Sequence, residues 1–323
     1  MALHQSSGRW QLGLALAILP VVLWSLLPIG LAVVLEPLDV YTITWFRFGL
    51  SGGLLLIYLA VKGQLPTRAT LAKVRVEMVG IAIAALTLNY LTFVAGLDRT
   101  SPANAEVIIQ LAPMLLLLGG VVIFRERFSR IQALGVGGLM VGLLLFFNEQ
   151  LAQWQAESDQ QGTAYVVGGG LIVVAALAWA IYALLQKQLL AMLTSNQVML
   201  LIFGGCALML TPMAQPQRLP TLTQLEWGML LFCGLNTLLA YGAFAASLHH
   251  LEASRISAIL SLTPLVTIAA MALTHTVWPD LVEPERLTLL SLAGAMAVVV
   301  GSLMTALGQR ERQNTNISKA NKS

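Results

Sequence analysis

Residues 88–113, LNYLTFVAGLDRTSPANAEVIIQLAP, recur in altered form at residues 239–264, LAYGAFAASLHHLEASRISAILSLTP. At a constant offset of 151, eight of the 26 aligned positions are identical. Identical Leu and Ala residues are common by chance in apolar sequences, so the weight rests on three matches: Tyr90 with Tyr241, Phe93 with Phe244, and Pro113 with Pro264. The pattern predicts that the two halves of the chain repeat one structural unit.

The repeats belong to an unusually apolar chain. Of its 323 residues, 57% are hydrophobic and 10% are charged, with a mean hydropathy of +0.79, whereas soluble domains carry about 25% charged residues. A membrane-spanning helix needs roughly 20 apolar residues. Ten apolar runs are candidates, at residues 11–35, 41–61, 78–97, 103–123, 131–147, 164–186, 197–214, 227–248, 256–274 and 287–307. We therefore predict an all-α polytopic membrane protein with ten transmembrane helices.

A long polar connection divides the ten predicted helices into two sets of five. It covers residues 148–163 (NEQLAQWQAESDQQGT) and contains no Lys or Arg. The predicted units are a first repeat at 1–147, this periplasmic or extracellular linker, a second repeat at 164–308 and a cytoplasmic polar tail at 309–323. Because each repeat has an odd number of helices, the second must enter the membrane upside down. Inverted five-helix repeats are typical of secondary transporters.

The loop charges predict the orientation of the chain. Basic residues favour the cytoplasmic side of a membrane. If the N-terminus is cytoplasmic, 14 Lys and Arg residues fall inside and three, Arg99, Arg218 and Arg286, fall outside. Both termini are therefore predicted to be cytoplasmic, in a bacterial inner (plasma) membrane. The same distribution, in short loops rather than along one face, argues against nucleic-acid binding.

The sequence lacks the patterns of a catalytic or metal centre. It has no GxxxxGK phosphate loop, which a nucleotide-driven pump would need, and no HExxH motif, which a zinc hydrolase would need. Cys206 and Cys233 lie in apolar runs without CxxC spacing, so no disulfide framework or metal site is indicated. We predict a protein that is not an enzyme and has no cofactor or metal.

Five stretches resemble the EamA-type ten-helix group of the drug/metabolite transporter superfamily: LWSLLP at 23–28, WFRFGLSG at 45–52, NYLTFVAGLDRTSPANAEVIIQLAP at 89–113, FRERFSRIQALGVGG at 124–138 and SRISAILSLTP at 254–264. The resemblance implies a secondary transporter that exports small metabolites, namely amino-acid-like, nucleobase-like or drug-like solutes. It does not determine which solute is carried. The chain departs from the group at Glu106, where many relatives have a small or uncharged polar residue.

Two charged residues, Arg47 and Glu106, fall within the predicted spans. Charges there are costly unless they face the bundle interior, water or a partner. Arg47 is either part of the substrate path or an internal ion pair, or an anchor that snorkels to the outer interface. Glu106 is either stabilised by the start of its helix, with Ser101 as cap and Pro102 in the first turn, or lines a cavity.

The repeat favours the cavity for Glu106. Gln110 lies one helical turn further along, and the repeat partners of this pair, Ser257 and Ser261, share the same spacing. Pro113 and Pro264 follow the two polar stripes and are predicted hinges. Glu106, the only acidic residue in a span, is the predicted proton-coupling residue, because burial disfavours the charged form of a carboxylate. Further predicted cavity residues are aromatic or amide side chains: Trp24, Asn89, Tyr90, Trp179, Tyr182, Asn236 and Tyr241.

Three functional hypotheses follow. The first is a carrier that alternates access by rocking one repeat against the other, coupled to a proton or another gradient. The second is a uniporter or exchanger of the same architecture, in which Glu106 binds a cationic group and no proton moves. The third is a channel or a structural membrane subunit, although no filter-like lining is visible in the sequence. The expected partners are a small-molecule solute, protons and the lipid bilayer, and the oligomeric state is open.

Overall fold

The computed structural model describes residues 10–72, 74–112, 114–115, 118–119, 129–148, 160–189, 192–247, 250, 259–260, 262–279 and 288–307. Within these ranges the regular structure is helical throughout, and each of the ten predicted spans contains a helix. The helices are α1 (Trp10–Leu35), α2 (Val40–Val61), α3 (Val76–Leu97), α4 (Pro102–Ile108), α5 (Arg130–Phe146), α6 (Gln160–Leu189), α7 (Ser195–Leu210), α8 (Gln224–Ser247), α9 (Thr263–Val277) and α10 (Leu289–Leu307).

Helix length and composition agree with a protein that crosses the membrane many times. In the described residues, α1, α2, α3, α6 and α8 each contain a stretch of 21 to 25 residues that is long and apolar enough to span a bilayer. The apolar helices α5, α7, α9 and α10 are shorter. A four-residue surface helix, Arg68–Leu71, joins α2 to α3. The prediction of an all-helical polytopic membrane protein is confirmed.

Polar residues at the predicted helix starts satisfy the free backbone N–H groups there. The Asp39 carboxylate accepts a hydrogen bond from the N–H of Thr42 at 2.9 Å, at the start of α2. At the start of α4, Ser101 caps the N–H of Asn104 and Pro102 occupies the first turn, as predicted. α6 begins at Gln160, within the segment 148–163 that the sequence analysis assigns to the linker.

The helices pack in a pattern that the two repeats share. α1 of the first repeat packs on α8, the third helix of the second, and α6, the first helix of the second, packs on α3. The equivalent helices α2 and α7, α4 and α9, and α5 and α10 contact one another directly. Exchanging each helix for its repeat equivalent leaves this set of contacts unchanged. The bundle therefore has an internal pseudo-two-fold relation.

Contacts between equivalent helices show the direction in which each runs. Near the start of α2, the Thr42 hydroxyl accepts a hydrogen bond from the backbone N–H of Gln215, beyond the end of α7, at 2.8 Å. Further along α2, Gly52 lies against Phe203 and Gly204, near the middle of α7. The two helices are antiparallel. Because they are the second helices of their repeats, the second repeat is inverted, which confirms the predicted architecture.

Glycines allow α5 and α10 to approach closely. A Cβ atom added at Gly142 would lie 2.5 Å from the backbone nitrogen of Val298 and 2.9 Å from the carbonyl oxygen of Gly294. Gly294 and Gly301 lie equally close to the backbone of α5. Small residues at a helix interface are a main source of packing energy in membranes, where helices gain little from leaving lipid.

We expect Gly142→Ala to destabilise the bundle, because the new methyl group meets backbone atoms rather than a flexible side chain. The cost should be about 1–3 kcal/mol, as for overpacked cores. Gly137→Ala is the matched control on the same helix, since a Cβ there meets no atom within 4 Å. Thermal unfolding of the two purified variants, followed by size-exclusion chromatography, measures the difference. Equal melting temperatures would contradict this interface.

Candidate functional site

A cavity of about 190 Å³ lies between the two repeats. α1, α2, α3 and α4 contribute most of its wall from the first repeat, and α6, α8 and the start of α9 close it from the second. Its lining residues are Trp24, Leu27, Arg47, Asn89, Tyr90, Phe93, Glu106, Ile109, Gln110, Ala112, Trp179, Tyr241, Leu260 and Thr263. A site shared between inverted repeats is where secondary transporters bind their substrates.

The structure brings eight of the predicted cavity residues together in this wall: Trp24, Arg47, Asn89, Tyr90, Glu106, Gln110, Trp179 and Tyr241. Ser257, Ser261 and Pro113 lie outside the described residues. Pro264 is buried in the first turn of α9. Six further wall residues were not predicted: Leu27, Phe93, Ile109, Ala112, Leu260 and Thr263. Five of them are apolar, and an apolar residue type does not distinguish a cavity position from a lipid-facing one.

Two predicted residues, Tyr182 and Asn236, are buried elsewhere in the bundle. The Tyr182 hydroxyl turns toward α7 and donates a hydrogen bond to the sulfur of Met199 at 3.3 Å. The Asn236 amide donates to the backbone carbonyl of Leu23 on α1. In the other half, the Asn89 amide donates to the carbonyl of Ala175 on α6 at 2.8 Å. In each half, an amide on the third helix of one repeat thus holds the first helix of the other.

Arg47 is held in the interior by two contacts. Its side chain is 2% exposed, so it does not snorkel to the outer interface. The Nε atom donates a hydrogen bond to the Thr237 hydroxyl oxygen at 3.2 Å, and the guanidinium carbon lies 4.6 Å from the centre of the Tyr90 ring, a cation–π distance. No carboxylate among the described residues lies within 4.0 Å of it.

Glu106 faces the cavity without a partner. It is 6% exposed and lies in the second turn of α4, beyond the Ser101 cap. The described residues supply neither a hydrogen-bond donor nor a cation at bonding distance from its carboxylate. Arg47, though in the same wall, does not form an ion pair with it. The cavity wall therefore contains a buried guanidinium and a buried carboxyl group that do not pair with one another.

Both helices that carry the polar stripes are interrupted beside the cavity. After Ile108 the regular helix of α4 gives way to a turn at Ile109 and Gln110. α9 begins at Thr263, after a turn at Leu262, and these turns occupy neighbouring positions of the two repeats. The Ser25 hydroxyl of α1 donates to the Thr263 carbonyl at 3.0 Å, which supplies a partner for the backbone at the break.

Aromatic rings cover much of the remaining wall. Trp24 on α1 meets Tyr241 on α8 edge to face, with ring centres 5.5 Å apart. Behind the wall, Phe48 packs on Tyr90 with ring centres 4.5 Å apart. Such rings provide a rigid surface on which an apolar or aromatic group of a ligand can pack. The cavity thus combines a small number of polar groups with a mostly apolar lining, the usual composition of a small-molecule site.

Comparison with known proteins shows the family. The profile of the EamA-like transporter family matches residues 11–148 and 167–307. The chain is 35% identical over 300 residues to the uncharacterized inner membrane transporter YhbE of Escherichia coli K12, with 93% of this chain and 92% of that protein covered. It is 22% identical over 318 residues to a probable amino-acid metabolite efflux pump of the same organism, with coverage of 94% and 97%.

A solved structure titled "Crystal structure of protein" has the same fold, with a TM-score of 0.61 at 16% identity. The match covers 92% of this chain and 98% of the solved one. The helical bundle, the two repeats and the family profile agree along nearly the whole length. The chain belongs to the EamA-like transporter family.

Proposed function

We propose that this protein is a secondary transporter of the bacterial inner membrane that exports small metabolites by alternating access, with Glu106 as its proton-coupling residue. The observation that carries the proposal is the cavity between inverted repeats, with Arg47 and Glu106 in its wall and not paired with each other. The names of the relatives, an inner membrane transporter and a probable amino-acid metabolite efflux pump, support export of metabolites over an enzymatic role.

The size of the cavity favours metabolites over drug-sized compounds. Sites for drug-sized ligands occupy about 300–1,000 Å³, and this cavity measures about 190 Å³. A small solute bound there would contact residues of both repeats. When one repeat rocks against the other, such a site can open alternately to the two sides of the membrane.

Packing beside the cavity supports a closed outer route in this conformation. On α1, Leu31 and Val34 lie beyond the cavity residue Leu27, toward the end of the helix that is predicted to be outside. They pack with Leu222 and Leu230 at the corresponding end of α8. On that side Ile29, Ala103 and Met271 join α1, α4 and α9. Opening to the outside requires these apolar contacts to separate.

Proton coupling by Glu106 rests on its surroundings. The charged group that shares its cavity is Arg47, and the ionisable hydroxyls in the same wall are Tyr90 and Tyr241. Because none of them pairs with the carboxylate in this conformation, dehydration disfavours its charged form. Access to water on one side would favour ionisation again. A carboxylate in this position can take up a proton on one side of the membrane and release it on the other.

The test is counterflow in proteoliposomes. Vesicles loaded with an unlabelled mixture of small bacterial metabolites are diluted into labelled metabolites, and transient uptake against the labelled gradient is followed by mass spectrometry. A carrier gives an overshoot that depends on the protein, whereas a channel gives only equilibration. Absence of an overshoot for every metabolite, with correctly inserted protein, would refute the proposal.

The orientation with both termini in the cytoplasm is part of this proposal. It rests on the loop charge bias of 14 inside to three outside. A fluorescent protein fused after Arg310 should be bright, and alkaline phosphatase fused there should be inactive. The reverse pattern would show that the bundle is inserted the other way.

A further inference from the structure

We infer that Thr237 is a positioning residue of the cavity, which sets the orientation of the Arg47 guanidinium from the opposite repeat. The inference rests on the proposed transport function, and it adds a residue that acts through Arg47 without touching the solute. Thr237 belongs to α8 and Arg47 to α2, so the bond between them joins the two repeats. Thr237 is 1% exposed and is not part of the cavity wall.

The contacts of Thr237 orient its oxygen toward Arg47. Its hydroxyl proton is donated to the carbonyl oxygen of Cys233, one helical turn back along α8, at 3.0 Å. The oxygen therefore accepts the Nε–H of Arg47, at 3.2 Å. Tyr90 covers one face of the guanidinium, whose carbon lies 4.6 Å from the ring centre. Because the guanidinium is planar and rigid, these two contacts hold Arg47 in one orientation in the cavity wall.

Close packing of α2 on α8 accompanies this contact. One helical turn along α2 from Arg47, the Ser51 hydroxyl donates a hydrogen bond to the carbonyl oxygen of Gly234 at 2.9 Å. A Cβ atom added at Gly234 would lie 2.6 Å from the Leu50 side chain. The two helices therefore touch beside Arg47. A shift of α8 along α2 would move the Thr237 oxygen away from the guanidinium.

The other half of the bundle contains the equivalent seam. There Cys206 of α7 donates a hydrogen bond from its sulfur to the carbonyl oxygen of Ile83 on α3, at 3.6 Å. Positions 51 and 206 are 155 apart, as are the starts of α2 and α7. Positions 83 and 234 are 151 apart, which is the offset of the repeat match. The bond from the second helix of one repeat to the third helix of the other is thus built alike in both halves.

The Arg47–Thr237 pair has no polar counterpart in that other half. At the same offsets, Arg47 corresponds to Ile202 and Thr237 to Leu86, and both of these belong to one buried apolar cluster. The third helix thus carries a hydroxyl where the second helix carries an arginine, and an apolar side chain where the second helix carries isoleucine. A requirement of helix packing alone would favour the same residue type in both halves. The difference indicates that the hydroxyl of Thr237 serves Arg47.

Hydrogen exchange at the Arg47 side chain tests the positioning directly. The protein is isotope-labelled at the arginine nitrogens and placed in lipid nanodiscs, and the Nε–H resonance of Arg47 is identified by its loss in Arg47→Gln. Thr237→Val keeps the branched shape of the side chain but removes the acceptor, so we expect this proton to exchange on the order of tenfold faster. Thr237→Ser, which keeps the hydroxyl, should exchange at the wild-type rate.

Transport kinetics test whether the positioning serves the solute. Each metabolite that wild-type protein carries in the counterflow mixture is titrated singly in proteoliposomes. We expect Thr237→Val to raise the half-saturating concentration about tenfold, with little change in the maximal rate, and Thr237→Ser to retain the wild-type value. Ser51→Ala is the matched control, because it removes the neighbouring hydrogen bond between α2 and α8, in which Arg47 takes no part. Size-exclusion profiles check that each variant is folded.

The inference is overturned if Thr237→Val has wild-type proton exchange at Arg47 or a wild-type half-saturating concentration. It is also overturned if Ser51→Ala gives an equal defect, or if Thr237→Ser is as impaired as Thr237→Val. These results are distinguishable from failure of the proposed function. If wild-type protein carries metabolites and Thr237→Val matches it, the positioning role alone is refuted. If wild-type protein carries no metabolite in counterflow, the proposed function fails and the inference fails with it.

Discussion

Replacement of Glu106 by glutamine is expected to abolish solute accumulation driven by a pH gradient while solute exchange at equal pH is retained. Glutamine keeps the size of the side chain and its capacity to accept a hydrogen bond, but it cannot take up or release a proton. Because Glu106 is the acidic residue of the cavity wall, no neighbouring carboxylate there can replace it. Accumulation should fall to the level of protein-free vesicles.

The measurement uses proteoliposomes with an imposed pH difference and, separately, with equal pH on both sides. Exchange at equal pH is measured at saturating solute, because the loss of a charged partner weakens binding about tenfold. Glu77→Gln is the matched control, since Glu77 is an exposed glutamate at the start of α3. Gradient-driven accumulation by Glu106→Gln with the wild-type pH dependence would exclude Glu106 as the coupling residue. Loss of exchange as well would make it a binding or structural group.

Replacement of Arg47 is expected to impair transport without loss of protein from the membrane. Arg47→Gln removes a buried charge and should lower transport on the order of 10²-fold. Arg47→Lys keeps the charge but loses the planar group that Thr237 and Tyr90 hold, so we expect about tenfold lower transport. Membrane abundance, measured on the same vesicles by immunoblotting, should be unchanged for both.

A double variant separates a substrate-binding role of Arg47 from an internal ion pair with Glu106 in another conformation. If the two residues stabilise each other, removing one leaves a buried unpaired charge, and removing both relieves that cost. Arg47→Gln with Glu106→Gln would then be more abundant and more active than either single variant. If both residues bind the solute, the double variant is less active than either. Wild-type transport in Arg47→Gln would show that Arg47 has a structural role and no part in transport.

The spans and the inversion of the repeats were predictable because they follow from long-range regularities. Apolar runs are set by bilayer thickness, and the match of residues 88–113 with 239–264 reflects a shared fold. The location of the charged cavity residues also followed from chemistry, because a charge within a span must avoid lipid. Arg47 and Glu106 stood out for that reason alone.

The assignment of uncharged residues to the cavity was less predictable. In a membrane both the lipid-facing and the protein-facing sides of a helix are apolar, so hydrophobic pattern does not separate them. Trp179 and Tyr182 are three residues apart on α6, yet Trp179 lines the cavity and Tyr182 packs toward Met199. The Asn236 amide donates a hydrogen bond to a backbone carbonyl of α1. This contact depends on how α1 of the opposite repeat packs against α8, which the sequence around Asn236 does not reveal.

The internal two-fold relation of the bundle has an energetic consequence. If the two repeats were identical in sequence, exchanging their conformations would convert the inward-open form of such a bundle into the outward-open form. The two forms would then have equal free energies. The charged cavity residues, Arg47 and Glu106, both belong to the first repeat, while the second contributes uncharged wall residues. In the proposed transport cycle, the equal free energies of the two forms are therefore lost at the cavity. If the chain works by the proposed alternating access, we expect its empty form to favour one side of the membrane, and ligands to shift that preference by their difference in affinity for the two forms.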